Sequence, residues 1–131
     1  MALRTELPAG LSVFVVEDEA LVALNLEDIL IELGCNVVGP AMRIDRAEGM
    51  FDEALAADVA ILDVNVAGTM IFPFARKLAE RGMPLVFATG YGRAGLPEDF
   101  SARPILQKPY TTQDVRAGLA QAIEAEGSAT A

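Results

Sequence analysis

Val59-Ala60-Ile61-Leu62-Asp63 decides the fold. Four apolar residues, two of them β-branched, run straight into a single carboxylate. A short apolar run of this kind reads as a strand buried on both faces, as in a parallel sheet. In such sheets ligands bind beyond the carboxyl ends of the strands, and Asp63 sits at such an end.

Working outward, residues 11–16 (LSVFVV) repeat the pattern and end in Glu17-Asp18-Glu19. A helix follows over about residues 20–33, with Val22, Leu26, Ile29 and Leu33 at helical spacing and Gly34 as its cap. Leu21, Leu24 and Ile31 lie off that face. Residues 36–41 (NVVGPA) predict a short strand stopped by Gly39-Pro40. Asp45 and Glu48 resemble a capping box opening a helix to about residue 57. After the strand at 58–62, residues 66–69 predict a loop. Residues 72–80 predict a helix that tolerates Pro73 in its first turn and ends at Gly82. Residues 84–88 (PLVFA) give a fourth strand. Residues 89–97 (TGYGRAGLP) hold three glycines and a proline where a helix is due, so any helix there is short and falls within 98–102. Residues 103–107 give the fifth strand. Thr111 and Asp114 make a second capping box, opening a helix to about residue 125 with Val115, Leu119, Ala122 and Ile123 inward. Five strands alternating with helices predict an α/β parallel sheet covered on both faces. Residues 1–10 read as a lead-in, 11–126 as one domain and 127–131 as a tail.

The bulk numbers agree. At 131 residues, 53% hydrophobic and 22% charged, the chain suits one globular domain. Ten basic against nineteen acidic residues leave a net charge of −9, which argues against nucleic-acid and anionic-membrane partners. Cys35 stands alone, so no disulfide framework exists and a reducing, cytoplasmic setting is expected. The absence of histidine removes His-ligated metals and His-based triads. No apolar run reaches the ~20 residues of a membrane span.

Glu17, Asp18 and Asp63 each follow a strand. If those strands are neighbours, three carboxylates converge; two unit charges ~4 Å apart at an effective dielectric of ~20 repel by about 4 kcal/mol. Such a cluster protonates, separates or binds a cation, and an all-oxygen donor set favours Mg2+ or Mn2+. Asp63 then suits a carboxylate nucleophile for a phosphoryl group. Thr89 ends the fourth strand with a hydroxyl and Lys108 ends the fifth with an ammonium, both suited to phosphoryl oxygens. Pro109 pushes Lys108 toward an extended conformation, and a cis bond there is allowed. Singly, each has an ordinary explanation: helix capping, a turn hydroxyl, a solvated lysine. Their order along strands one, three, four and five is specific.

With those residues in place, the chain resembles a response-regulator receiver domain of bacterial two-component signalling, over about residues 11–124. The resemblance implies a flavodoxin-like (CheY-like) three-layer sandwich with strand order 2-1-3-4-5 and a short or disordered fourth helix. It implies that Asp63 is the phosphoacceptor. Mg2+ would be held by Glu17, Asp18, Asp63 and the main-chain carbonyl of Asn65, with Thr89 as switch hydroxyl and Lys108 as phosphoryl contact. Residues 87–92 (FATGYG) look like the signature of a subgroup of often single-domain receivers named for that motif. Tyr91 is a candidate shield for the phosphoryl group. Ile105 departs from the family, which mostly carries Tyr, Phe or His there, so output is expected to pass through residues 90–100. Expected partners are a histidine kinase or phosphotransfer protein and an unidentified downstream protein, with the chain a monomer or weak homodimer.

Two other readings stay open. One is a small Mg2+-dependent phosphohydrolase with Asp63 as nucleophile, although Asn65 stands where its acid/base aspartate belongs. The other is a degenerate receiver used as a scaffold. The G-x-G-x-x-G at 90–95 follows the wrong strand for a dinucleotide fingerprint, and Cys35 reads as buried filler.

Overall fold

The computed structural model describes residues 7–130, with side chains through residue 125. Along the chain come β1 (Ser12–Val16), α1 (Ala20–Glu32), β2 (Asn36–Ala41), α2 (Ile44–Gly49), α3 (Phe51–Ala56) and β3 (Val59–Asp63). The short strands β4 (Asn65–Val66) and β5 (Thr69–Met70) precede α4 (Phe72–Glu80) and β6 (Leu85–Thr89). Two 3-10 turns, Arg93–Gly95 and Glu98–Phe100, lead to β7 (Ile105–Gln107) and α5 (Thr112–Thr130). Five strands pair in parallel in the order β2-β1-β3-β6-β7, which is 2-1-3-4-5 counting the strands of this sheet alone. The fold is the expected three-layer, flavodoxin-like α/β sandwich.

The central strands are apolar throughout because each face meets helices. Phe14, Val16, Ala60, Leu62, Leu85 and Phe87 point to the layer holding α2, α3 and α4. Val13, Val15, Val59, Ile61, Val86 and Ala88 point to α1 and α5. Each of the valine, leucine, isoleucine and phenylalanine side chains removed from water contributes roughly 1.5–3 kcal/mol. On α1 the buried face is Ala23, Leu26, Ile29 and Leu30, whereas Val22 and Leu33 are only partly covered. Leu21, Leu24 and Ile31 are indeed exposed. Thr111 and Asp114 form the reciprocal capping box: Asp114 N–H donates to Thr111 Oγ1 and Thr111 N–H to Asp114 Oδ2.

Several expectations are corrected. β2 runs through Gly39 and Pro40 instead of stopping there, with a cis peptide between them and a register shift against β1. Asp45 caps nothing: Arg43 is the N-cap of α2, and the Asp45 carboxylate accepts from Arg43 Nε and Arg46 N–H. The helix expected to reach residue 57 breaks at Met50 into α2 and α3. Residues 66–69 are not a plain loop but the turn of the β4–β5 hairpin, with Ala67 at φ +52 and Gly68 at φ +87. That pair of positive φ values is the two-residue turn whose twist matches antiparallel strands. α5 continues through Thr130, so residues 127–130, read as a tail, are helical. Of the proposed lead-in, residues 1–6 lie outside the described residues, while Leu7 packs against the α1/α5 side of the core. Among the described residues no helix is long and apolar enough to cross a membrane.

Gly39 is a position only glycine fits. Its φ is +99, and a Cβ there would lie 2.9 Å from both the Val15 carbonyl oxygen and the Ala41 nitrogen. Gly39→Ala is expected to lower unfolding free energy by roughly 1–3 kcal/mol from backbone strain alone, measured by urea denaturation. Gly49→Ala, whose Cβ would meet nothing within 4 Å, is expected to lose nothing.

Candidate functional site

Parallel register brings the site together. Val16 pairs with Leu62, Asp63 with Ala88, and Thr89 with Gln107. The strands therefore end within about one residue of one another, and the next side chains, Glu17, Asp18 and Lys108, meet at one rim. Lys108 N–H donates to the Thr89 carbonyl, extending the ladder past β7, and the Lys108–Pro109 peptide is cis.

Carboxylate oxygens of Glu17, Asp18 and Asp63 all lie within 4.8 Å of one another. Glu17 and Asp63 are buried, with 2% and 6% of their surface exposed. The Lys108 ammonium sits between them, 3.0 Å from Glu17 Oε1 and 3.3 Å from Asp63 Oδ1. Glu17 Oε2 also accepts Glu19 N–H at 3.1 Å. Asp18 is tied down by the hairpin turn, its Oδ2 accepting Ala67 N–H at 2.8 Å. Thr89 Oγ1 accepts Tyr91 N–H at 3.0 Å, which leaves the hydroxyl hydrogen free to be donated elsewhere. A cleft of about 610 Å3 opens over these groups, with Asn65, Met70 and Tyr91 on its walls. Tyr91 is 86% exposed at its mouth.

Charge divides unequally among the acids. Burial, and then the charge of Glu17, push the Asp63 carboxyl up to about 7 against the pull of Lys108. Burial also acts to raise Asp18, but the Ala67 N–H and hydrogen bonds with Asp63 and Glu17 bring it net below the ordinary value. Burial disfavours the Lys108 ammonium, yet Glu17 and Asp63 hold its pKa above that of a free lysine. The donor set is all oxygen and anionic, which fits a hard divalent cation such as Mg2+ or Mn2+.

Glu17, Asp18, Asp63, Thr89 and Lys108 thus converge. Asn65 stands on the cleft wall, but its carboxamide is engaged at the hairpin, Oδ1 accepting Gly68 N–H. Ile105 packs against the core instead of lining the cleft. Among the described residues no α-helix lies between β6 and β7. Side-chain contacts tie the segment there to the body of the domain. Phe100 is buried with its ring 5.0 Å from that of Phe87, Arg76 pairs with Asp99, and Arg93 donates to the Ser101 and Arg103 carbonyls. Sequence reasoning missed two contributors: the Ala67 amide and the Gln107 carboxamide that donates to Gly90 O. Ala67-Gly68 could have been read as a turn; nothing in the sequence marks Gln107.

Similarity to known proteins follows the same lines. A response regulator receiver domain protein from Clostridium thermocellum superposes with a TM-score of 0.77 at 23% identity, over 91% of this chain and 98% of that one. SdrG from Sphingomonas melonis Fr1 is 38% identical, with a TM-score of 0.74 over 92% of this chain and 98% of its own. The chain belongs to the response-regulator receivers. The Phyllosphere-induced regulator PhyR of Methylorubrum extorquens is 29% identical over 125 residues, 89% of this chain and 45% of that protein. The receiver spans about half the length of the PhyR proteins it matches. No protein-family model matches it.

The raised Asp63 carboxyl has a stability consequence. In the folded protein it keeps a proton that the unfolded chain releases, so its contribution is complete below the unfolded pKa of about 4 and is lost as pH rises toward about 7. In chelator, Asp63→Asn is expected to melt above wild type near neutral pH, by roughly 4 °C for each kcal/mol relieved. The gap is expected to close as pH falls to about 4. Thermal melts across that range check both.

Proposed function

We propose that this receiver accepts a phosphoryl group on Asp63 from the phosphohistidine of a partner kinase or phosphotransfer protein, and signals through a changed surface to a downstream protein. The observation that carries this is the Lys108 ammonium held between Glu17 and Asp63 at the floor of an open cleft. A half-buried cation beside a buried carboxylate suits a site that must admit a further anion. None of these 131 residues is a histidine, so none of them is the phosphohistidine donor.

In the transfer, an Asp63 carboxylate oxygen bonds to phosphorus while the donor's P–N bond breaks and the imidazole leaves. Glu17, Asp18, Asp63 and the Asn65 main-chain carbonyl would hold Mg2+ or Mn2+, which supplies positive charge against two anions. Asp63 attacks as the carboxylate, so its proton leaves first. Lys108 turns its ammonium to a phosphoryl oxygen, and the Thr89 hydroxyl donates to another. Turning Thr89 gives up the Tyr91 N–H bond, which frees the start of the 90–100 segment. Ile105 offers no polar atom to follow Thr89, so output runs through that segment and its Gln107 contact. Tyr91 at the cleft mouth slows attack by water on the acyl phosphate. Self-phosphorylation and self-hydrolysis are weak side chemistries of this site, and the chain is a signalling module more than an enzyme. The phosphohydrolase reading loses ground because the Asn65 carboxamide is occupied at its own turn.

The receiver unit reaches from Leu7, which packs on its core, through the end of α5. Its docking face is the exposed stripe Leu21, Leu24 and Ile31 on α1, flanked by Glu27, Asp28 and Glu32. Apolar residues within an acidic border suit a partner helix with basic flanks and disfavour a second copy, so the chain is a monomer or at most a weak dimer.

Incubation with acetyl phosphate and Mg2+ is expected to add one phosphate by intact mass, labile to hydroxylamine and absent in Asp63→Asn. No adduct, or one that survives the substitution, rejects the reading. Hydrogen exchange over residues 90–100 is expected to change when beryllofluoride is added; unaltered protection rejects that segment as the output.

A further inference from the structure

The β4–β5 hairpin stands beside the acidic cluster, and its turn is tied down at two points. A two-residue turn leaves the N–H groups of its two central residues outside the ladder. Here side chains take up both. Ala67 N–H donates to Asp18 Oδ2 at 2.8 Å and Gly68 N–H to Asn65 Oδ1 at 2.9 Å. The first bond reaches across to the link after β1, while the second closes the turn on its own first strand. Ala67 sits at φ +52, a conformation alanine keeps only where its surroundings hold it.

Asp18 needs such a hold. It lies between β1 and α1, where Glu19 is the N-cap and no side chain caps the helix. With Oδ2 engaged by Ala67 N–H, the carboxylate plane is set relative to Glu17 and Asp63, whose oxygens lie within 4.8 Å. The Asn65 backbone is prepared as well. Ile71 N–H donates to the Val64 carbonyl, so the next pair, Asn65 and Met70, is one whose backbone groups point out of the ladder. The Asn65 carbonyl is therefore not consumed by the hairpin.

We infer that Asn65 is a positioning residue for the divalent cation through its side chain: by holding Gly68 N–H, the carboxamide sets the turn from which Ala67 N–H orients Asp18. This rests on the cation being held at the acidic cluster. Partners one step removed from a metal set its affinity by fixing the direction of the groups that bind it. Direct contact of the carboxamide oxygen with a cation would compete with its bond to Gly68 N–H.

The test uses Asn65→Ala, Asn65→Ser and Asn65→Gln in the full chain, titrated with Mn2+ and followed by the paramagnetic resonance of the free ion. Asn65→Ala is expected to bind Mn2+ about tenfold more weakly. Serine keeps a short acceptor for the turn and is expected to recover part of the loss. Glutamine keeps the carboxamide on a longer stem that does not close the turn, and is expected to behave as alanine. In chelator, the Ala67 amide is expected to exchange faster in Asn65→Ala and Asn65→Gln than in wild type, a change that needs no ion. Equal affinity of wild type and Asn65→Ala overturns the inference. So does wild-type affinity in Asn65→Gln, which gives the carboxamide a direct contact instead. Both outcomes leave the cation site standing. Failure of wild type to bind Mn2+, or undiminished binding by Asp18→Asn, overturns the site and the inference together.

Discussion

One ammonium group stands among three carboxylates, and the rest of the molecule holds it there. Glu17 and Asp63 are too deep to be relieved by water, and the ammonium between them offsets part of the cost of burying their charge. The three acids and the one base at this rim therefore form a single electrostatic cluster. Asp18 is steadied by a backbone amide, Glu17 by an ammonium and an amide, and Asp63 carries the remaining strain as a raised affinity for a proton. The least satisfied acid is the one from which chemistry is expected.

The sheet positions this set by register alone. A slip by one residue would exchange the side chains of the two faces, and each helical layer is packed around its own set in size and shape. Fixing Leu62 against Val16 and Ala88 against Asp63 thereby brings the strand ends that carry the acids to one rim. This is also why so much was legible in the sequence. Double-sided burial writes itself as unbroken apolar runs, each ending at a polar residue that belongs to the site. The α5 capping box was equally plain, because Thr111 and Asp114 satisfy each other's backbone donors locally.

What was not legible depended on contacts distant in sequence or on competition between local signals. Asp45 and Glu48 have the right spacing for a cap, but Arg43 takes the N-cap and draws the Asp45 carboxylate to its own guanidinium. Gly39-Pro40 reads as a stop, yet the backbone carries the strand past it by shifting register. The clasp of Ala67 N–H on Asp18 joins residues 49 apart in sequence. Nothing in the sequence singles out Tyr110, whose buried hydroxyl has no hydrogen-bond partner among the described residues.

The edges of the sheet have a consequence for the chain in concentrated solution. Parallel sheets with half their residues apolar are prone to recruit stray strands along an open side. Here one outer strand carries a proline, which has no hydrogen to offer, beside an irregularity in its pairing. The opposite outer strand is only three residues long. Neither margin offers a long, flat template, so a protein this rich in aliphatic residues is protected from fibrillar self-assembly by its borders and not by its charge alone.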